Sequence, residues 1–118
     1  LGNTAITDLR CNDTSISSLS DSRDKTNIVD IPLGLSFINT VRPVSFDWNR
    51  RDGSMAGKKD FGFIAQELKE VIPEVVGEMH GGFYGVKYDK LTPLLVEAIK
   101  ELKAEIDILK SNSCKCKR

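Results

Sequence analysis

The chain has 118 residues, of which 40% are apolar and 29% are charged, with 17 basic and 17 acidic side chains. This length fits one small domain, and the balanced charge argues against a dedicated nucleic-acid or anionic-membrane binder. The apolar fraction is sufficient for a folded core, and the apolar runs are far shorter than a membrane span. The first residues have no start Met and no signal-peptide pattern, so we expect a piece of a longer polypeptide.

Cysteine and histidine usage narrows the possible chemistry. The three cysteines are an odd number, and Cys114 and Cys116 stand near the chain end, so no disulfide framework is expected. Their spacing does not suit a zinc site, and we expect no metal and no cofactor. His80 is the only histidine and lies in a glycine-rich stretch, which disfavours a Ser-His-Asp triad.

Residues 1–22 are small and polar, with apolar side chains at Ile6, Leu9, Ile16 and Leu19. This alternation predicts short strands separated by an Asn-Asp turn. Such a segment buries little apolar area and cannot hold a fold alone. We interpret it as the end of an upstream, β-rich segment.

The middle of the chain alternates between strand and helix patterns. In chain order it predicts a short helix that ends before Pro43, a strand over 44–48, a polar loop over 50–59, a strand over 61–65 that runs into a helix over 66–71, and a hairpin across Gly81 and Gly82. The fold class is therefore α+β: a small mixed globular domain, a polar β-rich N-terminal segment and a long C-terminal helix.

The helix predicted from Lys90 to Lys110 carries a heptad seam. Its a and d positions are Leu95, Ile99, Leu102, Ile106 and Leu109. The helix can fold back on its own core, or it can form a coiled coil; we favour the coiled coil because the seam continues to the end of the chain. Ile at a with Leu at d favours two strands, whereas Val96 and Ala98 widen the apolar face toward three. The seam alone leaves the number open.

Three stretches together resemble a known family. They are Ser-Asp-Ser-Arg-Asp-Lys at 20–25, Gly-Phe-Ile-Ala-Gln-Glu at 62–67, and the closing helix from Tyr88 to Leu102. Their order and spacing resemble the C-terminal intramolecular chaperone domain of phage tail spikes and fibres, called the chaperone of endosialidase or peptidase S74 domain. The resemblance covers roughly residues 20–110.

The resemblance implies a homotrimer that registers an upstream β-rich fibre segment of the same polypeptide and then cuts itself off between Leu19 and Ser20. Ser20 matches the family's nucleophile and Lys25 its base, whereas Asp24 replaces a residue that is often apolar. It implies a location in the host cytoplasm during virion assembly, with the parent protein in the virion tail. The expected division is an upstream segment at 1–19, the chaperone domain at 20–90, a trimeric coiled-coil helix at 91–110 and a disordered tail at 111–118.

The Ser-x4-Lys spacing by itself carries little weight. With 10 Ser and 11 Lys, about one such pair is expected by chance, and Ser54 with Lys59 is a second instance. On a helix the two side chains point about 140° apart, and on a strand they lie on opposite faces. Ser20 and Lys25 therefore meet only if the chain turns between them or if they come from different protomers.

A lysine acts as a base only as the neutral amine, and we expect trimer closure to supply the burial that favours this form of Lys25. The Ser20 hydroxyl then attacks the Leu19 carbonyl, or an N-to-O acyl shift within Ser20 precedes hydrolysis. Candidate oxyanion donors are Asn27 and Gln66. Asp21 and Arg23 are interpreted as turn and ion-pair residues that shape the site.

Two other functions compete with self-cleavage. One is a non-cleaving oligomerisation cap that stays in the fibre, and it differs from the first hypothesis only at Ser20 and Lys25. The other is the related domain of a membrane-tethered transcription factor. The polar segment before Ser20 disfavours that reading, because it looks like fibre rather than a DNA-binding domain.

Overall fold

The computed structural model of the chain describes Ala5, residues 8–32 and residues 34–116. It divides into two compact units, Leu1–Asp30 and Ile31–Arg118. Within this described part, no helix has both the length and the apolar character needed to cross a bilayer. The same residues contain no group of three or more His, Cys, Asp or Glu side chains that could hold a metal ion.

In the first unit, the described residues contain one turn of 3-10 helix at Ser22–Asp24 and no strand. The prediction of a β-rich N-terminal segment is therefore wrong for these residues in a single chain. A strand is stabilised by a neighbouring strand that completes its hydrogen bonds. Leu9, Ile16 and Leu19 are 70%, 88% and 80% exposed, so no packed neighbour covers them. Ile6 lies outside the described residues.

The second unit contains three helices and four strands among its described residues. They are α1 (Leu35–Ile38), β1 (Val44–Asp47), β2 (Lys59–Gly62), α2 (Ala65–Val71), β3 (Val76–Glu78), β4 (Tyr84–Val86) and α3 (Leu91–Cys116). The predicted small mixed fold with a long C-terminal helix is confirmed. The first helix is shorter than its apolar pattern suggested, and Leu33 lies outside the described residues.

The strands form two separate antiparallel hairpins. In the first, Val44 pairs with Gly62 and Asp47 with Lys59, and the inner faces of both strands are half-buried. In the second, Val76 pairs with Val86. The turn between β3 and β4 passes through Gly81 and Gly82 at φ 82° and 78°, a left-handed conformation that favours glycine. This hairpin lies where the glycine pair predicted it.

The core joins both helical and extended elements of the second unit. Its buried side chains are Phe37, Leu68, Ile72, Val75, Leu91 and Leu94. Pro73 begins a 3-10 turn directly after α2, and this turn carries Val75 into the same core. The short elements therefore depend on one another, because none of them alone buries enough apolar area to stay folded.

The long helix α3 presents two different apolar faces. Leu91, Leu94 and Ala98 are only 7%, 4% and 6% exposed and pack on the core of their own unit. The prediction that Ala98 widens the heptad seam is therefore wrong, because the fold turns Ala98 toward the domain. The helix runs six residues beyond Lys110, to Cys116, because no Gly or Pro follows Leu94 to end it.

The heptad seam is the second apolar face of α3. Its five side chains remain between 40% and 66% exposed: Leu95, Ile99, Leu102, Ile106 and Leu109. They do not fold back onto the core of the same chain. An apolar stripe of this length on one helix face is typical of a surface that binds a partner.

Candidate active site

A single tight turn brings Ser20 and Lys25 together. The chain forms one turn of 3-10 helix over Ser22–Asp24, closed by the Lys25 amide, which donates to the Ser22 carbonyl oxygen at 3.1 Å. The residues before and after this turn return to extended backbone. The chain therefore reverses within five residues, which neither a continuous helix nor a strand allows.

The two predicted catalytic side chains are in direct contact within one chain. Lys25 Nζ lies 2.7 Å from Ser20 Oγ, a normal hydrogen-bond distance. Both residues are exposed, and Leu19, whose carbonyl carbon is the predicted point of attack, is 80% exposed. A nucleophile and a base within hydrogen-bond reach of each other are the arrangement that Ser-Lys chemistry requires.

The turn is held by Asp21, which caps it. Asp21 Oδ1 accepts from the Arg23 amide at 2.9 Å and from Arg23 Nε at 3.0 Å, while Oδ2 accepts from Arg23 Nη2 at 2.7 Å. The Arg23 side-chain hydrogen bonds lower the pKa of the Asp21 carboxyl, and the bond from the Arg23 backbone amide lowers it further. The expectation that these two residues form the turn and an ion pair is confirmed.

The other sequence candidates lie in different settings. Asn27 has φ 53°, a left-handed backbone that Asn tolerates, which gives this residue a structural role in the chain path. Gln66 lies on α2 in the second unit and lines an aromatic cleft of about 510 Å³ there. The Asp24 amide donates to the Asp21 carbonyl oxygen at 3.1 Å, so the backbone of Asp24 belongs to the turn.

The second Ser-x4-Lys pair has a different arrangement. Ser54 Oγ donates to Asp52 Oδ1 at 2.7 Å, within the loop that joins β1 and β2. Lys59 Nζ donates to Asp47 Oδ1 at 3.2 Å across the first hairpin. Each member of this pair thus has a carboxylate partner of its own.

The structure explains the Gly-Phe-Ile-Ala-Gln-Glu block at 62–67 through contacts that the sequence alone did not predict. A Cβ on Gly62 would lie 2.5 Å from Tyr88 Oη, so a larger residue here would force the tyrosine side chain to shift. The Phe63 amide donates to Tyr88 Oη at 3.3 Å, and Glu67 Oε2 pairs with Arg42 Nη2 at 2.6 Å. The only feature of the sequence that pointed to the contact with Tyr88 was Gly62, which stands directly before the Phe63 amide that needs an acceptor.

Residues 20–77 match the model of the family described as chaperone of endosialidase, also called peptidase S74. Over these residues the chain belongs to that family, and the resemblance found in the sequence is confirmed. The matched segment begins at Ser20 and includes both the turn and the 62–67 block.

Two curated relatives are similar over a longer stretch. The chain is 32% identical over 96 residues to "Long tail fiber protein Gp37" of Enterobacteria phage K3, an alignment that covers 78% of this chain and 8% of the relative. The protein of the same name from Enterobacteria phage T2 is also 32% identical over 96 residues, with 7% of its length covered. The chain thus spans less than a tenth of either tail-fibre protein.

Proposed function

We propose that this chain is the assembly chaperone of a phage tail-fibre protein and that it removes itself by cutting between Leu19 and Ser20. The family membership and the tail-fibre relatives support the chaperone role. The observation that supports cleavage is the 2.7 Å contact of Lys25 Nζ with Ser20 Oγ, next to the exposed residue Leu19. The proposed place of work is the host cytoplasm during virion assembly, with the parent protein in the tail.

The proposed reaction is an acyl transfer followed by hydrolysis. Neutral Lys25 takes the hydroxyl proton of Ser20 as Oγ bonds to the carbonyl carbon of Leu19. The bond from that carbon to the Ser20 nitrogen breaks, and the proton on Nζ passes to the new amino group. Water then hydrolyses the ester, which leaves a carboxyl group on Leu19 and a free amine and hydroxyl on Ser20. Attack within one Ser20 is an N-to-O acyl shift; attack by the Ser20 of another protomer gives the same products.

Assembly is the proposed trigger. In the single chain both side chains of the dyad are exposed, and water solvates a charged amine well. Burial against a partner chain disfavours the charged form and so makes the base available. The reaction would then follow trimer closure and not precede it, so the chaperone stays attached until three chains share one register.

The proposed trimer forms through the heptad seam of α3. Its five apolar side chains are exposed in the single chain, whereas Leu91, Leu94 and Ala98 are already used by the core. The proposal of three chains rests on the family resemblance. The heptad pattern does not supply this number, because Ile at a with Leu at d favours two strands in model coiled coils. On this proposal the chain divides into the upstream segment 1–19, the chaperone domain 20–90, the coiled-coil helix 91–110 and the tail 111–118, of which residues 111–116 continue α3.

The described part of residues 8–19 supports a need for such a chaperone. It contains no strand, and its large apolar side chains Leu9, Ile16 and Leu19 are exposed. Three such segments must find one register before their contacts stabilise anything, and this search is slow when the chains are separate. A trimeric helix that assembles first would hold the three segments together.

The test is the intact mass and the oligomeric mass of the 118-residue chain over time. Cleavage leaves a fragment of 99 residues that begins at Ser20. Ile99→Asp combined with Leu102→Asp places unpaired charges in the seam, and we expect a monomer by light scattering that remains uncut. Lys100→Asp adds an acid on the same helix outside the seam and should stay trimeric and cut normally.

The outcomes separate the two candidate functions. A monomeric wild type at micromolar concentration contradicts the trimer. A wild-type trimer that stays whole for days at pH 8 contradicts self-cleavage and favours the second candidate, a permanent oligomerisation cap that stays in the fibre. The exposed seam supports the cap as well, because a cap needs the same helix interface.

A further inference from the structure

The turn that joins Ser20 to Lys25 has no hydrophobic support. Its three residues Ser22–Asp24 include no buried side chain, and the 3-10 hydrogen bonds that close it are both at 3.1 Å. A single 3-10 turn is weak in water, because few backbone bonds offset the conformational entropy that it loses. Something local must hold it if the two side chains are to stay in contact.

The Asp21 carboxylate is the group that holds it. Three hydrogen bonds of 2.7–3.0 Å tie its two oxygens to the backbone amide and the guanidinium of Arg23. The first satisfies an amide that has no partner inside the turn, and the other two form a bidentate ion pair. Arg23, the middle residue of the turn, is thereby fixed by Asp21.

We infer that Asp21 and Arg23 are the positioning pair of the dyad: they hold the turn that keeps Ser20 Oγ within reach of Lys25 Nζ, and neither takes part in the bond-making step. This inference rests on the proposed self-cleavage. A reacting pair that drifts by about 1 Å loses on the order of 100-fold in rate, so a weak turn needs such a clamp. An exposed ion pair adds little to global stability, so its contribution appears in the reaction and not in folding.

The chain contains a matched control. Asp52 forms the same kind of turn, in which Oδ1 accepts from the Ser54 amide at 2.9 Å and from Ser54 Oγ at 2.7 Å. Asp52→Ala removes a cap of the same geometry from the loop between β1 and β2. It should leave the rate of cleavage at Ser20 unchanged, as measured on the full chain by intact mass.

The experiment compares Asp21→Ala, Asp21→Asn and Asp52→Ala in single-turnover cleavage of the 118-residue trimer, followed from pH 6 to pH 10. Asp21→Ala removes every hydrogen bond of the clamp and should slow cleavage about 10- to 100-fold. Asp21→Asn keeps an acceptor oxygen for the Arg23 amide, since Asn caps as well as Asp, and should stay within about threefold of the wild type. The trimer mass and the thermal midpoint should stay unchanged in both variants.

The pH profile separates positioning from an electrostatic effect on the base. A positioning pair changes the fraction of aligned dyads, so Asp21→Ala should lower the rate at every pH without moving the pH of half-maximal rate. A moved midpoint would overturn the inference, because the Asp21 charge would then act on the base itself. Loss of cleavage in Asp21→Asn would also overturn it, because the carboxylate would then be part of the chemistry.

Two further outcomes are distinguishable. If the wild type cleaves and Asp21→Ala cleaves at the same rate, the turn holds without its clamp and the inference alone is wrong. If the wild-type trimer does not cleave, the proposed function fails and the inference fails with it. Cleavage of the wild type itself distinguishes the two failures, and Lys25→Arg, which removes the base and leaves the clamp intact, is the slowly cleaved reference.

Discussion

Two Ser-x4-Lys pairs in this chain have the same spacing but make different contacts. Ser20 and Lys25 lie 2.7 Å apart across a capped 3-10 turn. Ser54 and Lys59 are separated by the same number of residues, yet each is paired with a carboxylate of its own, Asp52 and Asp47. The spacing alone predicted neither arrangement.

The difference lies in what the intervening residues do. Between Ser20 and Lys25 the Asp21 cap closes a turn, and the two ends approach each other. Between Ser54 and Lys59 the chain completes a loop and enters β2, where the register places Lys59 opposite Asp47. Lys59 thus contacts a carboxylate, whereas Lys25 contacts the hydroxyl of Ser20. The first pair has the contact that the proposed cleavage needs, and the second pair belongs to the loop and the first hairpin.

The largest expected effect comes from the two serines. Ser20→Ala should abolish the 99-residue fragment, because no hydroxyl remains to attack the Leu19 carbonyl. Ser54→Ala should leave the cleavage rate unchanged, since its hydroxyl bonds only within its own turn. Intact mass spectrometry over several days measures both. Cutting that persists in Ser20→Ala refutes the assignment of the nucleophile.

The next largest effect is expected from substitutions of the two lysines. Lys25→Arg keeps the positive charge, but a guanidinium does not release its proton, so we expect cleavage to slow by about 100-fold or more. Lys59→Arg keeps its ion pair with Asp47 and should cleave like the wild type. Gels of the purified trimers measure the rate of fragment formation in both variants. Equal rates in the two variants contradict the role of Lys25.

A smaller effect is expected when the second pair loses its carboxylates. Asp47→Ala with Asp52→Ala removes both partners, but the hairpin register still holds Lys59 on β2, so no cut before Ser54 should appear. Asp47 forms an exposed ion pair and Asp52 caps an exposed turn, so the free energy of unfolding should fall only slightly. Peptide mapping and chemical denaturation measure the two outcomes. A new cut at Ser54 would show that spacing alone is sufficient.

The smallest expected effect is a loss of stability at acidic pH. Hydrogen bonds lower the pKa of Asp21, through the Arg23 side chain first, and of Asp52, through the Ser54 side chain first, both from an ordinary value of 3.8. A carboxyl with a lowered pKa in the fold stabilises it fully above pH 3.8. That contribution is lost as the pH falls below 3.8 through the lowered value. Carboxyl carbon shifts in an NMR titration should place both midpoints below 3.8; a midpoint at or above it contradicts the capped turn.

Much of the second unit was predictable because its signals are local. Alternating apolar residues defined β1, Pro43 and Pro73 marked where helices end, and the glycine pair at 81–82 marked the second hairpin. These features act within a few residues of themselves, so they can be read without knowledge of the fold. The dyad residues were also named from the sequence, but through the family resemblance and not through their spacing.

The tertiary structure determined the contacts between residues that are distant in the sequence. It placed Ala98 against the core and left the five seam side chains exposed, although both sets lie on one apolar helix. It left the described part of residues 8–19 without strands, because a strand needs a partner that a single chain does not provide there. It also placed Tyr88 against Gly62. Local sequence determines which conformations a segment favours, whereas burial and pairing depend on which other segments the fold brings beside it.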